Sequence, residues 1–512
     1  MVCAASLASA TTLWLVLGAG RLVVAESAAA NFASHLEPFG DAQTLGRLLG
    51  TAQNTSAQVG ATPTWPEYTV PAEPGGPYLF QPESTWTSAF LPQALYALDK
   101  RYSVLCPNDR AGSNGTDWRA LARTWSASLY NPNQAVLDSW LHDVGFNSVP
   151  MMAELEIDAS NATARSALLS NAEALAKLYS PTVGCTLSWD RGPDNFEVII
   201  DNMMNLRLLL AAADLTGNAT YRAMAESHAN KTIENHIRAD GSSFHVVDYS
   251  PTTGEVQWRG TAQGYSNSST WSRGQAWGIL GFAHMYNATG ISLYLETASR
   301  MAIYFSTAYD RYQTEVPWDF DAPLPTTLDT SAAMIAGSAM LFLSSLEASR
   351  GNATGMSHWT AEAEVMLVNS ASAGMRNNAG EFSIIGNATV DNRADPPINN
   401  TGAIYGDAYF IEAGNFLLEL GIWNCSAGSS PFGSSAVGAS PVALSSKLVT
   451  LSNATTAVGQ ALGANGTTTS VSAQGSPEKT HAATSSSNHL APRDALTLAL
   501  AFCGACVTLC LQ

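Results

Sequence analysis

Charged side chains are scarce in this sequence, and basic ones most of all. Asp, Glu, Lys and Arg together make up 13% of the 512 residues, against about a quarter in an average soluble protein. The 42 acidic and 24 basic residues give a formal net charge of -18 at pH 7. Because a field of this sign repels polyanions, we expect no nucleic-acid partner, and an anionic ligand must be bound by a few local cations.

Cysteine is also rare, with seven residues in the chain. When an N-terminal leader and an apolar C-terminal tail are set aside, Cys106, Cys185 and Cys425 remain. Three cysteines leave room for one disulfide and one unpaired thiol. The hydrophobic share of 46% is ample for a large core, so we expect the core, and not a disulfide framework, to stabilise the fold.

Motifs for nucleotide and metal chemistry are missing as well. The sequence contains no P-loop, no GxGxxG that follows a strand, no HExxH and no Cys/His cluster. Each of these motifs places backbone amides or ligating side chains where a phosphate or a metal ion needs them. We therefore expect no cofactor and no metal.

Both termini carry features of export. Residues 1–25 combine an apolar run, TTLWLVLGAG, with small residues at Ala25, which is typical of a secretory signal peptide. Thirteen asparagines stand in the N-glycosylation pattern N-x-S/T, and they support the same route: Asn54, Asn114, Asn161, Asn218, Asn230, Asn267, Asn287, Asn352, Asn387, Asn399, Asn424, Asn453 and Asn465.

The C-terminal region divides into two parts. Residues 426–494 are rich in Ser, Thr, Ala and Gly without periodicity, which predicts a disordered stalk because such a segment cannot bury enough apolar surface to fold. Residues 495–512 form an apolar tail after a polar spacer and small residues near Ser486, an order typical of a glycosylphosphatidylinositol anchor signal. A tail-anchored helix is the alternative. We expect contact with a membrane only through a lipid anchor.

The body, residues 26–425, is predicted to be all-α. Segments with a 3.6-residue period cover 164–180, 196–217, 219–237, 273–290, 292–309, 330–349, 360–375 and 406–421. Helices that are apolar on most faces tend to alternate with helices that have one polar face, and short loops join them. This alternation predicts a closed (α/α) toroid whose long polar connections, 239–272 and 311–327, gather at one end. A plain bundle or solenoid remains the alternative.

Asp201 is the acid that stands out in the body. It lies in VIIDNMMNL, surrounded by apolar residues on a stretch predicted to be helical. Burial disfavours the ionised carboxylate and raises its pKa, which suits a general acid. A buried acid that caps a loop or pairs with an arginine would give the same pattern, so both interpretations stay open.

A second acid strengthens the catalytic interpretation. In SWLHDVGF, His142 and Asp143 lie where a helical run gives way to a loop. Two carboxyls in one pocket push their pKa values apart, which leaves one protonated and one ionised, as glycosidases commonly require. The sequence does not show whether Asp143 and Asp201 meet in space.

The polar loops have the composition of a sugar site. Flat aromatic faces stack on pyranose rings, and amide, imidazole and guanidinium groups bind hydroxyls or carboxylates. The aromatic candidates are Trp189, Tyr265, Trp271 and Trp277, and the last of these is more simply explained as core. The polar candidates are His245, Gln263 and Arg273.

The ordered motifs HDVGF, IIDNMMNL, DGSSFHVVDY, GTAQGYSNSSTWSRGQAWG, WDFDAP and YGDAYFIEA resemble the unsaturated glucuronyl hydrolases of glycoside hydrolase family 88. The likeness spans about residues 80–422. It implies an (α/α)6 barrel and a substrate that carries a 4,5-unsaturated uronic acid at the non-reducing end, as polysaccharide lyases produce. It also implies hydration of the double bond in place of displacement at the anomeric carbon.

The same resemblance assigns roles to the candidates. Asp201 would protonate C4 and assist the water that adds at C5, and Asp143 would stay ionised and stabilise the cationic transition state. Arg273 would hold the uronate carboxylate. His142, Trp189, His245, Gln263 and Trp271 would line the site.

Departures from the family pattern leave alternatives open. Leu91 replaces a family aromatic in WTSAFLPQ, and Ala262 stands in GTAQG where the family often has histidine. We interpret both as changes in the sugar subsites. The related unsaturated rhamnogalacturonyl hydrolases and a non-catalytic carbohydrate-binding glycoprotein are the alternative functions.

Overall fold

Two kinds of helix alternate along the body of the chain. The computed structural model describes residues 39, 42–54, 63–70, 76–109, 115–312, 315–376 and 382–425. The α-helices in these residues are α1 (Ala42–Gln53), α2 (Phe90–Lys100), α3 (Trp118–Ser126), α4 (Gln134–Trp140), α5 (Val144–Asn147), α6 (Val149–Ile157), α7 (Ala162–Lys177), α8 (Leu206–Thr216), α9 (Ala219–Asn235), α10 (Ser272–Thr289), α11 (Ser292–Asp310), α12 (Thr330–Ser349), α13 (Ala353–Arg376) and α14 (Ile404–Glu419). The predicted leader, stalk and tail (1–25, 426–494 and 495–512) lie outside the described residues and stay predictions.

Burial separates the two kinds of helix. Helix α12 buries all but three of its 20 residues, whereas α9 buries four of 17, including His228. The sequence causes this difference, because α12 is composed almost wholly of Ala, Met, Leu, Ile and small polar residues, and α9 carries charges on its outer side. Among the described residues, α12 is the helix long and apolar enough to cross a membrane, and its burial identifies it as a core helix.

Six inner elements form a closed ring. They are α2, the pair α5 and α6, α8, α10, α12 and α14, and each packs against the next, with α14 returning to α2. The outer helices α3, α7, α9, α11 and α13 each follow an inner element, and α1 lies against α3. Since the ring closes, the architecture is the predicted (α/α)6 barrel, and the open bundle and the solenoid are excluded.

All inner helices begin at the same end of the barrel. We call this end the open end, and the end where the inner helices finish the closed end. Connections at the closed end are short: Gly217 and Gly290 have φ angles of 72° and 71° and end α8 and α10, a conformation that glycine adopts without steric cost. At the open end, the amide of Ser272 donates to the carbonyl of Trp318, so the two long polar connections do meet as predicted.

Short strands lie in the open-end connections. They are β1 (Thr64–Thr69), β2 (Tyr78–Pro82), β3 (Tyr179–Ser180), β4 (Cys185–Thr186), β5 (Phe196–Ile199), β6 (Val246–Tyr249) and β7 (Val256–Gly260). Strands β1 and β2 form one antiparallel pair, β3 and β4 form another, and β5, β6 and β7 form an antiparallel sheet.

The prediction of one helix over 196–217 is wrong in its first half. Residues 196–199 form β5, Ile200–Met204 form a 3₁₀ turn, and the α-helix begins at Leu206. The run Val198, Ile199 and Ile200 is β-branched and pairs with β6, and a short apolar run of this kind cannot be distinguished from a helix by periodicity. Asp201 therefore lies on a tight turn at the mouth of an inner helix.

One disulfide links the segments that follow the first and the last inner helix. Cys106 follows α2 and Cys425 follows α14, and their sulfurs are bonded. Cys185 is a free, buried thiol in β4. This arrangement confirms the expectation of one disulfide and one unpaired cysteine.

Candidate active site

The open ends of the inner helices bring the predicted acids together. Asp143 lies on the 3₁₀ turn before α5, and Asp201 lies on the corresponding turn before α8. Helix α10 begins with Ser272 and Arg273, directly after Trp271. Because these inner elements are neighbours in the ring, their first residues converge near the barrel axis.

Asp201 has the protonation behaviour of a general acid. Its side chain is 14% exposed, and burial raises its pKa to about 7. The positive charge of Arg273 opposes this rise, and the charge of Asp143 adds to it. The two acids thus interact, which the sequence alone could not establish.

The hydrogen bonds of His142 fix which of its nitrogens carries the proton. Its Nδ1 lies 3.0 Å from the carbonyl oxygen of Ser188, and a carbonyl only accepts, so Nδ1 carries the proton. Burial lowers the pKa of His142 to about 4, so the ring is neutral at pH 7. Its Nε2 is then an acceptor, 3.3 Å from Oδ1 of Asp143.

Asp143 faces this neutral imidazole. Burial raises the pKa of Asp143 to about 8, and a protonated Asp143 can donate to Nε2 of His142. The substrate-free site therefore favours a proton on Asp143. The ionised state that the resemblance implies concerns the working enzyme, and it stays a prediction.

His245 presents the opposite ring nitrogen to the site. Its Nδ1 accepts from the backbone amides of Ala262 and Gln263, at 3.3 Å and 3.4 Å. Burial lowers the pKa of His245 to about 3, so the ring is neutral and its proton lies on Nε2. That N–H is 4.0 Å from Oδ1 of Asp201, close enough to donate to a ligand or to the acid after a small movement.

Two tryptophans form a wall around His245. The Trp271 ring lies 4.5 Å from the imidazole and tilts against it, and the Trp189 ring meets it edge-on at 5.8 Å. Trp271 is buried and Trp189 is half-buried. Gln263, also half-buried, donates from Nε2 to the carbonyl of Val390. The structure thus places these predicted residues around one space at the open end.

Arg273 is held more firmly than the prediction of a carboxylate partner suggests. One terminal nitrogen donates to Asp329 at 2.6 Å and to the carbonyl of Thr389, and the other donates to Val390 at 2.7 Å. The guanidinium also lies 4.6 Å from the centre of the Trp271 ring. These contacts favour a fixed positive charge that tunes Asp201, and direct binding of the uronate carboxylate stays a prediction.

Sequence reasoning missed the support around Arg273. Asp329 caps α12 by accepting from the amides of Ser331 and Ala332, and it is completely buried. Tyr405, at the start of α14, places its ring 5.3 Å from the guanidinium. The Asp-Thr-Ser pattern before an apolar run was a helix-start signal that could have identified Asp329.

Several buried polar atoms at the open end have no hydrogen-bond partner within the described part of the chain. They are Nε2 of His142, Oδ1 of Asp201, Nε2 of His245 and Nε of Arg273. Native proteins leave few such atoms, because an unsatisfied buried polar group costs about 1–3 kcal/mol. Their convergence indicates a place for a polar ligand. No group of three or more His, Cys, Asp or Glu within the described residues could hold a metal ion.

No family model matches the chain. Among curated proteins, the chain is 31% identical over 342 residues to an unsaturated glucuronyl hydrolase of Formosa agariphila, covering 65% of this chain and 80% of that protein. It is 38% identical over 210 residues to an unsaturated glucuronyl hydrolase of Bacillus sp. strain GL1, covering 40% and 55%. An unsaturated chondroitin disaccharide hydrolase of Streptococcus pyogenes is 30% identical over 275 residues, covering 53% and 66%.

Solved structures give the same result. The unsaturated glucuronyl hydrolase from Bacillus sp. GL1 superposes with a TM-score of 0.61 at 27% identity, covering 74% of this chain and 97% of that one. An unsaturated glucuronyl hydrolase described as specific for heparin superposes with a TM-score of 0.63 at 25% identity, covering 75% and 98%. In both cases the superposition covers nearly the whole of the solved chain.

Proposed function

The chain belongs to the unsaturated glucuronyl hydrolases of glycoside hydrolase family 88, and we propose from this that Asp201 and Asp143 are the pair that performs the hydration. The enzyme removes a 4,5-unsaturated uronic acid from the non-reducing end of lyase-generated oligosaccharides. The observation that carries the assignment is the pair itself: two interacting carboxyls with raised pKa values, on adjacent turns at the open end of the barrel.

Asp201 begins the reaction as an acid. Its carboxyl proton goes to C4 of the vinyl ether, and positive charge develops at C5 and the ring oxygen. The resulting carboxylate of Asp201 then takes a proton from the water that adds at C5, which restores the acid. The hemiketal at C5 opens spontaneously, and the sugar leaves. A pKa of about 7 suits this double role, because the group exchanges a proton in both directions near neutral pH.

Asp143 stabilises the cationic transition state. When Asp143 is ionised, its negative charge lies in a site from which solvent is largely excluded, where electrostatic stabilisation is strongest. While Asp143 carries its proton, Nε2 of His142 can accept it and so orient the carboxyl, and the His142 ring is itself fixed by the carbonyl of Ser188. The neutral Nε2–H of His245 is available to bind a substrate oxygen beside Asp201.

The activity is tested with purified protein and unsaturated disaccharides. Hydration destroys the conjugated double bond, so its ultraviolet absorbance should disappear. A panel of glycosaminoglycan, pectic and algal lyase products separates the glucuronyl from the rhamnogalacturonyl substrates. Unchanged absorbance with every member of the panel would contradict the assignment, and sugar binding without turnover would favour a non-catalytic binding protein.

The first prediction concerns Asp201→Asn. This substitution removes the transferable proton and preserves the size of the side chain, so kcat/KM should fall by about 10²- to 10⁴-fold. Asp214→Asn is the matched control, because Asp214 is an exposed acid on α8, the helix that follows the turn carrying Asp201. Equal loss of activity in both variants would indicate a structural effect and not catalysis.

We also propose that the enzyme is secreted, glycosylated and attached to a membrane by a lipid anchor. The leader at 1–25, the sequons and the tail at 495–512 support this route, and the disulfide between Cys106 and Cys425 fits an oxidising compartment. A phosphatidylinositol-specific phospholipase should release the protein from membranes. Presence of the tail peptide in the mature protein would contradict the anchor.

A further inference from the structure

Five of the glycosylation patterns lie beside the C-terminal ends of inner helices. In the described residues, four connections lead from an inner helix to the outer helix that follows directly, at 158–161, 217–218, 290–291 and 350–352. Each is only two to four residues long, yet each contains or adjoins a sequon. A fifth sequon follows α14. The asparagines are Asn161, Asn218, Asn287, Asn352 and Asn424.

These five positions lie at the closed end. Inner helices begin at the open end with Asp201, Arg273 and Asp329, so their last turns and the connections after them are at the opposite end. Asn287 is in the last turn of α10, and Asn424 comes five residues after the last residue of α14. The five sequons therefore follow the rim of the barrel away from the active site.

Helix capping explains part of this pattern but not all of it. Asn161, Asn218 and Asn352 each accept a hydrogen bond from an amide in the first turn of the following outer helix, and asparagine is a favoured capping residue. A cap requires no Thr two residues later. Moreover, Asn287 lies inside α10 and caps no helix, and it still carries the complete pattern.

The closed-end asparagines are compatible with a glycan in the folded protein. Asn218, Asn287, Asn352 and Asn424 are exposed, and Asn161 is half-buried. Capping uses the side-chain oxygen, whereas the sugar is attached to the side-chain nitrogen. Nδ2 of Asn352 donates to Glu347, and this bond can persist because a glycosylated amide nitrogen keeps one hydrogen.

Asn387, at the open end, provides the contrast. Its side chain is only 8% exposed, and its φ angle is 62°. Thr389 of the same sequon is buried and donates its hydroxyl to the carbonyl of Leu328 at 2.6 Å. An oligosaccharide on Asn387 would have to pass through this packed region.

We propose that the closed end of the barrel is an N-glycosylated face, with glycans on Asn161, Asn218, Asn287, Asn352 and Asn424, and that Asn387 remains unmodified. The donor is an oligosaccharide linked to a lipid through pyrophosphate. A bond forms between C1 of its first sugar and Nδ2 of asparagine, the bond from C1 to the pyrophosphate oxygen breaks, Nδ2 loses one proton, and the lipid pyrophosphate leaves.

Site mapping tests the proposal on the full chain secreted from a eukaryotic host. Enzymatic removal of N-glycans in H₂¹⁸O converts each modified asparagine into ¹⁸O-labelled aspartate, which peptide mass spectrometry detects. Label is expected at the five closed-end positions and not at Asn387. Unlabelled closed-end asparagines, or label at Asn387, would overturn the proposal.

The proposal rests on the proposed secretory route, and the same map separates the two. If the route is wrong, none of the thirteen sequons carries label. If only the closed-end face is wrong, other sequons such as Asn230 or Asn453 are labelled and the five closed-end positions are not.

Paired variants test one position directly. Thr220→Ala destroys the sequon of Asn218 without changing the capping asparagine, and Thr220→Ser is the matched control because N-x-S is still a sequon. The alanine variant should lose the mass of one glycan, and the serine variant should keep it. If neither variant loses the mass of a glycan, glycosylation at Asn218 is contradicted. In addition, the Thr220→Ala and Thr220→Ser enzymes should have the same kcat/KM for an unsaturated disaccharide, and a lower value for the alanine variant would contradict the separation of this glycan from the active site.

Discussion

At the scale of single residues, the chemistry of the site depends on whether the carboxyls of Asp201 and Asp143 are protonated. With pKa values of about 7 for Asp201 and about 8 for Asp143, the pair carries two protons at low pH, one in between and none at high pH. The proposed mechanism requires one protonated and one ionised carboxyl, and because the charge of Asp143 raises the pKa of Asp201, the two titrations are linked.

The second prediction follows from this pairing. The profile of kcat/KM against pH should be bell-shaped, with its flanks near the pKa values of about 7 and about 8. Below the bell, Asp143 is protonated and cannot stabilise a cation; above it, Asp201 has no proton to give. A steady-state profile that rises continuously to high pH would contradict these roles.

The third prediction concerns how much the buried carboxyl of Asp143 lowers the free energy of unfolding. Its folded-state pKa is raised, so the fold keeps a proton that the unfolded chain releases, and the free energy of unfolding falls as pH rises from about 4 to about 8. Asp143→Asn should therefore inactivate the enzyme yet raise the free energy of unfolding by about 0.5–2 kcal/mol at pH values above this window. Denaturant unfolding measures this change.

Two comparisons control this stability experiment. At about pH 3 the gain from Asp143→Asn should vanish, because the carboxyl is then mostly protonated in both the folded and the unfolded state. Asp214→Asn, at an exposed position, should change little at either pH. A gain that is the same at all pH values would show that charge burial is not its cause.

The sequence singled out the two candidate acids, but not their neighbours. Asp201 and Asp143 were recognisable because each is an acid in an apolar context. The protonation state of His245 was not recognisable from the sequence, because it depends on the backbone amides of Ala262 and Gln263, which come later in the chain. Likewise, Asp329 holds Arg273 across 56 residues, a pairing that depends on the packing of α10 against α12.

At the scale of elements, helices were predictable where they are long and periodic. The predicted segment 330–349 matches α12 to the residue, and the predicted segment 292–309 differs from α11 by one. The failure lay at 196–204, where the chain changes from strand to 3₁₀ turn to helix within a continuous apolar run. Pairing with β6 determines the conformation of this segment, and the local periodicity of the sequence carries no information about that pairing.

The fourth prediction tests how closely α10 approaches the turn that carries Asp201. A Cβ on Gly281 would lie 2.5 Å from Cβ of Met203, on that turn. Gly281→Ala should therefore push the turn away, lower the free energy of unfolding by about 1–3 kcal/mol and reduce kcat. Thermal unfolding and initial rates measure the two effects.

Gly50 offers the matched control. It lies in α1, and no atom approaches within 4 Å of the position that a Cβ would occupy. Gly50→Ala should be neutral or slightly stabilising, because alanine favours a helix over glycine by about 1 kcal/mol. A similar loss of stability in both variants would exclude close packing as the cause.

At the scale of the whole molecule, the disulfide closes the ring covalently. Cys106 and Cys425 are separated by 319 residues and lie after the first and last inner helices. The fifth prediction is that Cys106→Ser combined with Cys425→Ser lowers the free energy of unfolding by about 2–4 kcal/mol, with little effect on kcat. Cys185→Ala is the control, since Cys185 forms no disulfide.

The common direction of the inner helices also explains how so acidic a protein can bind an acidic sugar. Each peptide unit has a dipole along the helix axis, and an α-helix carries the equivalent of about half a positive charge at its first turn. Helices α8 and α10 both present that turn to the open end, and neither has an acid in it. Their combined dipoles oppose the net charge of -18 at the place where a uronate carboxylate must enter, and few arginines are then needed there.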